Sequence, residues 1–130
     1  HEPALIKEVM LRDMEVRESI DSHAANVFDS MGGYSPTMGI LGAVLGLIQA
    51  LGQMHEPGQL GAGIAIAFVA TVYGIAFANL LCIPISKKIK SLVESDYRYK
   101  ELLLEGVLAI GLQQHPRLIV SKMESFLDSA

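Results

Sequence analysis

Charged and apolar positions are segregated along this chain. Residues 30–54 and 57–86 contain no Asp, Glu, Lys, Arg or His, whereas residues 1–29 interleave charges with apolar side chains. Crossing a bilayer core takes roughly 20 apolar residues in a helix, so both uncharged runs are long enough to span it. Upstream, Ile6, Val9, Met10, Leu11, Met14, Ile20, Ala24, Val27, Phe28 and Met31 recur at three- and four-residue steps, the spacing of an amphipathic helix. Met31-Gly32-Gly33-Tyr34 interrupts that pattern, and Pro36 suits the first turn of a new helix. The expectation is one helix ending near residue 31 and a membrane span from Pro36 to Gln53.

Pro57-Gly58 is a strong turn signal, so the second span is expected from Leu60 to Ile85. Pro84 lacks an N–H and clashes one turn back, which predicts a kink or break there. Ile89, Leu92, Val93, Leu102, Leu103, Val107 and Ile110 then give a helix to about Gln114. His115-Pro116 ends it and opens a last short helix carrying Leu118, Ile119, Met123, Phe126 and Leu127. No strand alternation longer than a few residues is present.

Lys87, Lys88 and Lys90 follow the second run directly, while the turn between the runs has no Lys or Arg. The positive-inside rule therefore puts both flanks in the cytoplasm. The predicted fold is an all-α membrane protein, a two-span transmembrane helical hairpin flanked by cytoplasmic amphipathic helices. Its parts are a cytoplasmic helix over 1–34, spans at 35–54 and 60–85 around a periplasmic turn at 55–59, and a cytoplasmic helical tail over 86–130. A soluble bundle with Gly- and Ala-rich buried helices is the alternative, and it suits the lysine cluster less well.

The composition agrees: 51% of residues are hydrophobic and mean hydropathy is +0.38. The net charge of -4 and the lack of a basic, aromatic-rich patch argue against nucleic acid as a partner. The single cysteine, Cys82, makes no disulfide within the chain. The sequence starts at His1, with no signal peptide pattern, and is expected to continue upstream in its natural form.

His1, His23, His55 and His115 are too dispersed for a metal site, and no nucleophile elbow or phosphate-binding loop occurs. Neither an enzyme nor a cofactor protein is expected. The candidate features are packing and polar residues within the spans. Gly39, Gly42 and Gly46 in the first, and Gly61, Gly63 and Gly74 with several alanines in the second, let backbones approach where lipid offers little hydrophobic drive. Thr71 and Asn79, two helical turns apart, can face one side. The Thr71 hydroxyl can bond its own helix or line a wet route beside a partner. Neither span holds a carboxylate, so an ion-carrying acid must come from elsewhere.

Pro36-Thr37-Met38-Gly39-Ile40-Leu41-Gly42-Ala43-Val44-Leu45-Gly46-Leu47 resembles the third membrane helix of the MotA/PomA flagellar stator family. Ile66-Ala67-Phe68-Val69-Ala70-Thr71-Val72-Tyr73-Gly74, continuing to Ala78-Asn79 and Pro84, resembles the fourth. Glu105 to Ile110, Pro116-Arg117 and Phe126-Leu127 are similar to the family's tail. The resemblance implies a subunit of an ion-driven stator in the bacterial inner membrane. Five such A subunits would surround two B subunits of MotB/PomB type, whose aspartate carries the ion, and turn the flagellar rotor through its switch protein. It further implies that Thr71 lies near the ion route and that Pro36 and Pro84 couple ion flow to motion. Ala43 stands where sodium-driven relatives have a threonine; losing that oxygen favours protons. ExbB/TolQ energisers of outer-membrane transport are the alternative, and a purely structural membrane scaffold is a third.

Overall fold

The computed structural model describes residues 3–128, with side chains for residues 4–125. Its helices are α1 (Pro3–Leu51), α2 (Pro57–Phe77), α3 (Ile83–Gly111) and α4 (Pro116–Asp128), and a single π-helical turn (Ala78–Cys82) joins α2 to α3. No strand occurs among the described residues. His1 and Glu2, and the side chains of Phe126 and Leu127, lie outside the described residues.

Two helices are long and apolar enough to cross a bilayer, one over Ala4–Leu51 and one over Pro57–Gly111. Three sequence expectations need correction. First, α1 runs unbroken through Gly32-Gly33 and Pro36. Gly32 is buried, and a Cβ there would stand 3.0 Å from Ile83 Cγ1. Close packing thus overrides the weak helix propensity of glycine. Second, Pro57-Gly58 is not the turn. The turn covers Gly52–Glu56, and Pro57 opens α2, where its missing N–H costs nothing. Third, of the kink or break expected at Pro84, the break is absent, and α3 runs through that residue. The helix widens just before it, and Ile83 N–H reaches back five residues to Ala78 C=O.

The chain forms two compact units, residues 24–89 and, of the described residues, 3–23 with 90–128. Residues 24–89 pair α1 with α2, the π turn and the start of α3 as an antiparallel hairpin. Its interior is small: Ala25, Ala50, Ala67, Ala78, Cys82 and Ser86 are buried with Gly32 and Gly39. The large side chains point outward; Phe68, Tyr73 and Leu80 are 71%, 72% and 73% exposed. A water-soluble domain would bury these, whereas a bilayer solvates them.

In the second unit, Met14, Leu104 and Ala109 form the buried centre, and Gly106 leaves room for Met123 of α4. The apolar face expected for the tail is met only in part: Ile89, Val93 and Leu102 are half-buried. Leu104 is at its core, while Leu92 and Ile110 are exposed. The same holds upstream: Met14 is buried, but Val9 and Ile20 are exposed. Surface ion pairs Arg17–Asp13, Arg98–Glu94 and Lys100–Asp96 lie at four-residue spacing, each worth a few tenths of a kcal/mol. The α3–α4 connection closes with a Schellman pattern, Gln114 N–H to Ala109 C=O and Gln113 N–H to Ile110 C=O. Gln113 sits in the left-handed region, with φ 52°.

Candidate functional site

The site is built where α1 and α2 touch. Gly39 and Gly74 meet backbone to backbone. A Cβ on Gly74 would fall 2.8 Å from Gly39 Cα and 2.8 Å from Ser35 O, and one on Gly39 would fall 3.0 Å from Ala70 O. Away from this point the contact relaxes: a Cβ on Gly42 or Gly46 would sit 3.4 Å from the Ala70 or Ala67 methyl. Nearer the turn, Gly63 packs on Ala50, where an added methyl would come within 2.5 Å of the Ala50 Cβ. The structure thus brings Gly39 and Gly74 into direct contact and sets Gly42 and Gly46 along the same seam.

Two serine hydroxyls tie the hairpin across the seam. Ser35 Oγ donates to Gly74 C=O at 2.9 Å, and the fully buried Ser86 Oγ donates to Ala25 C=O, also at 2.9 Å. Each uses the spare lone pair of a carbonyl, so the helix ladder is kept, and each is worth roughly 0.6–1.5 kcal/mol in a membrane setting. Neither serine was singled out from sequence. Their signal is positional, because both continue the three- and four-residue rhythm of small residues.

The π turn belongs to that rhythm. On α2 the inward positions are Gly63, Ala67, Ala70 and Gly74, at steps of four, three and four. Beyond Gly74 the inward residues are Ala78, Cys82 and Ser86, at four-residue steps throughout. At 3.6 residues per turn, repeated steps of four rotate off the seam, and one wider turn restores the phase. Pro84, two residues later, removes the N–H that would serve the Leu80 carbonyl, so a regular α turn has little to gain there.

Thr71 is half-buried beside the Gly39–Gly74 contact, its Cα 3.4 Å from the Gly39 Cβ position. Its hydroxyl donates to Ala67 C=O at 3.3 Å, so it bonds its own helix here. Ala43 is half-buried one turn along α1 from Gly39 and offers no polar atom. Asn79 is exposed and donates Nδ2 to Ile75 C=O at 2.9 Å. Pro36 is half-buried and Pro84 exposed. Among the described residues no cluster of three metal-ligating side chains occurs. In the other unit, partial burial raises the Tyr97 pKa, with Glu101, Glu18 and Glu15 adding to the effect.

A family model described as the MotA/TolQ/ExbB proton channel family matches residues 1–101. Motility protein A of Bacillus subtilis is 37% identical over 122 residues, covering 94% of this chain and 45% of that protein. In the flagellar MotAB stator complex of Bacillus subtilis, one chain superposes with a TM-score of 0.88 at 35% identity, covering 97% of this chain and 50% of that one. The C. jejuni MotAB structure gives a TM-score of 0.91 at 33% identity, covering 97% and 49%. The chain therefore spans about half the length of the relatives it matches.

Proposed function

The chain belongs to the MotA/TolQ/ExbB proton channel family, and on that premise we propose that it is the ion-path hairpin of an inner-membrane flagellar stator subunit. The observation that carries the reading is the seam. Two long apolar helices are held at glycine contact, with the large side chains outward and no carboxylate in either uncharged run. Such a hairpin is one wall of a path and needs a partner helix carrying the acid. The names of the matched proteins, Motility protein A and the MotAB stator complexes, favour the motility branch over ExbB or TolQ.

In this reading a B-type subunit places its aspartate against the hairpin, within a homo-oligomeric ring of five A subunits around two B helices. Thr71 and Ala43 flank the route. With Ala43 offering no oxygen, there is little to replace the water shell of sodium, so the partner carboxylate passes protons. Pro36 leaves the Gly32 carbonyl without its usual N–H, and Pro84 does the same for Leu80. Those turns are the compliant points through which neutralising the carboxylate shifts the helices. Both ends of this hairpin then face the cytoplasm, and the rotor switch protein is met by the cytoplasmic part of the whole subunit.

Expressing the full-length subunit with its B partner in a stator-less bacterium tests this. Swimming should return and stop when the proton gradient is collapsed. Non-motile cells with both proteins in the membrane would overturn it.

A further inference from the structure

At the turn end of the hairpin, α1 and α2 enclose an open cleft of about 210 Å³. Its wall carries three carboxamides, Gln49 from α1, Gln53 from the turn and Gln59 from α2, above the small residues Gly46, Ala50 and Gly63. Gln49 stands in the last turn of α1 and Gln53 just beyond its end, and both line the cleft. Their carboxamides find no hydrogen-bond partner among the described residues. Gln49 lies in the uncharged part of α1, where an unpaired amide facing hydrocarbon costs several kcal/mol on transfer scales. Water standing in the cleft would remove that cost. Gln59 of the lining donates through Nε2 to the Glu56 carboxylate. Glu56 is the one Asp, Glu, Lys or Arg between Asp29 and Lys87, so the field at the cleft is negative.

We propose that this cleft is a water-filled vestibule that collects hydrated cations at the turn side of the assembly. Carboxamide oxygens accept hydrogen bonds from hydronium or from the water around a metal cation, and the amide N–H groups orient the next water inward. The Glu56 charge raises the local cation concentration, while Gln49 lies deepest, towards Gly46 on the seam. The inference rests on the channel reading above, and it concerns entry rather than the carboxylate that carries the ion.

The test uses the full-length subunit with its B partner, reconstituted in liposomes and followed by proton influx. Gln49→Leu/Gln53→Leu should lower influx about tenfold, the scale of losing a hydrogen bond to a charged group. Gln49→Asn/Gln53→Asn should keep most of it. Glu56→Gln should lower influx most at low ionic strength. Unchanged influx in the double leucine variant overturns the vestibule, whereas a wild-type complex without influx overturns the channel reading instead. Where the leucine variant fails to assemble, or wild type does not conduct, the single variants Gln49→Cys and Gln53→Cys in an otherwise cysteine-free full-length subunit decide. Labelling at 49 by a membrane-impermeant thiol reagent supports a wet cleft, and protection at 49 while 53, in the turn, is labelled overturns it.

Discussion

Gly74 and Gly33 are both helical glycines, yet they should respond oppositely to one added methyl. At Gly74 the Cβ would meet the Gly39 and Ser35 backbones at 2.8 Å, atoms that no rotamer change can clear. At Gly33 it would meet nothing within 4 Å. Gly74→Ala should force the helices apart and destabilise the hairpin by about 1–3 kcal/mol, while Gly33→Ala should stabilise it by up to about 1 kcal/mol. Thermal melting in detergent separates the two. Gln113 offers a third case. It occupies the left-handed position of a Schellman motif, which glycine fills without a Cβ penalty. Gln113→Gly should raise stability by about 1 kcal/mol, read from the same melts. Glycine-rich sequence marked the seam, but not which glycines are in backbone contact. That depends on the register between helices, which no local pattern encodes.

The π turn shows how an element can be written in spacing and still be missed. Four-residue steps from Gly74 through Ala78 and Cys82 to Ser86 are the signal for a wider turn, and only the burial of those residues gives it meaning. Deleting Leu80, which is 73% exposed, should convert the π turn to a regular one and leave the inward residues at steps of four, three and four. The cost is then limited to about 3 kcal/mol for Pro84 inside a regular turn. Deleting Val72 should rotate every later residue by about 100° off the seam and prevent folding. Melting midpoints of the two deletions check this; equal loss in both contradicts the phase argument. The spans themselves were legible because charge cannot enter a bilayer cheaply, so two uncharged runs have few alternatives. The break expected at Gly32-Gly33 was not found, since packing of Gly32 on Ile83 and Cys82 outweighs propensity. The amphipathic faces were read only in part: Met14 lies on the predicted apolar face and is buried, whereas the buried Leu104 is absent from the face predicted for the tail. Leu104 was distinguishable from exposed Leu103, and Met14 from exposed Val9 on the same predicted face, only once their neighbours were placed.

At the scale of the whole molecule, what is absent from the uncharged runs is as informative as the seam. No acid or base lies within them, so the hairpin holds its two helices at close range but has no group on which a proton can rest. Thr71 and the glutamines can guide water and hydrogen bonds, yet none changes charge. On the proposed reading the carboxylate comes from the B-type partner, and the subunit alone should be tight. Proton influx into liposomes holding the full-length subunit, with and without its B-type partner, is the most direct measurement of that claim. The account predicts no influx above empty liposomes for the subunit alone and clear influx for the pair. Equal conduction by the subunit alone, or none by the pair, would contradict it.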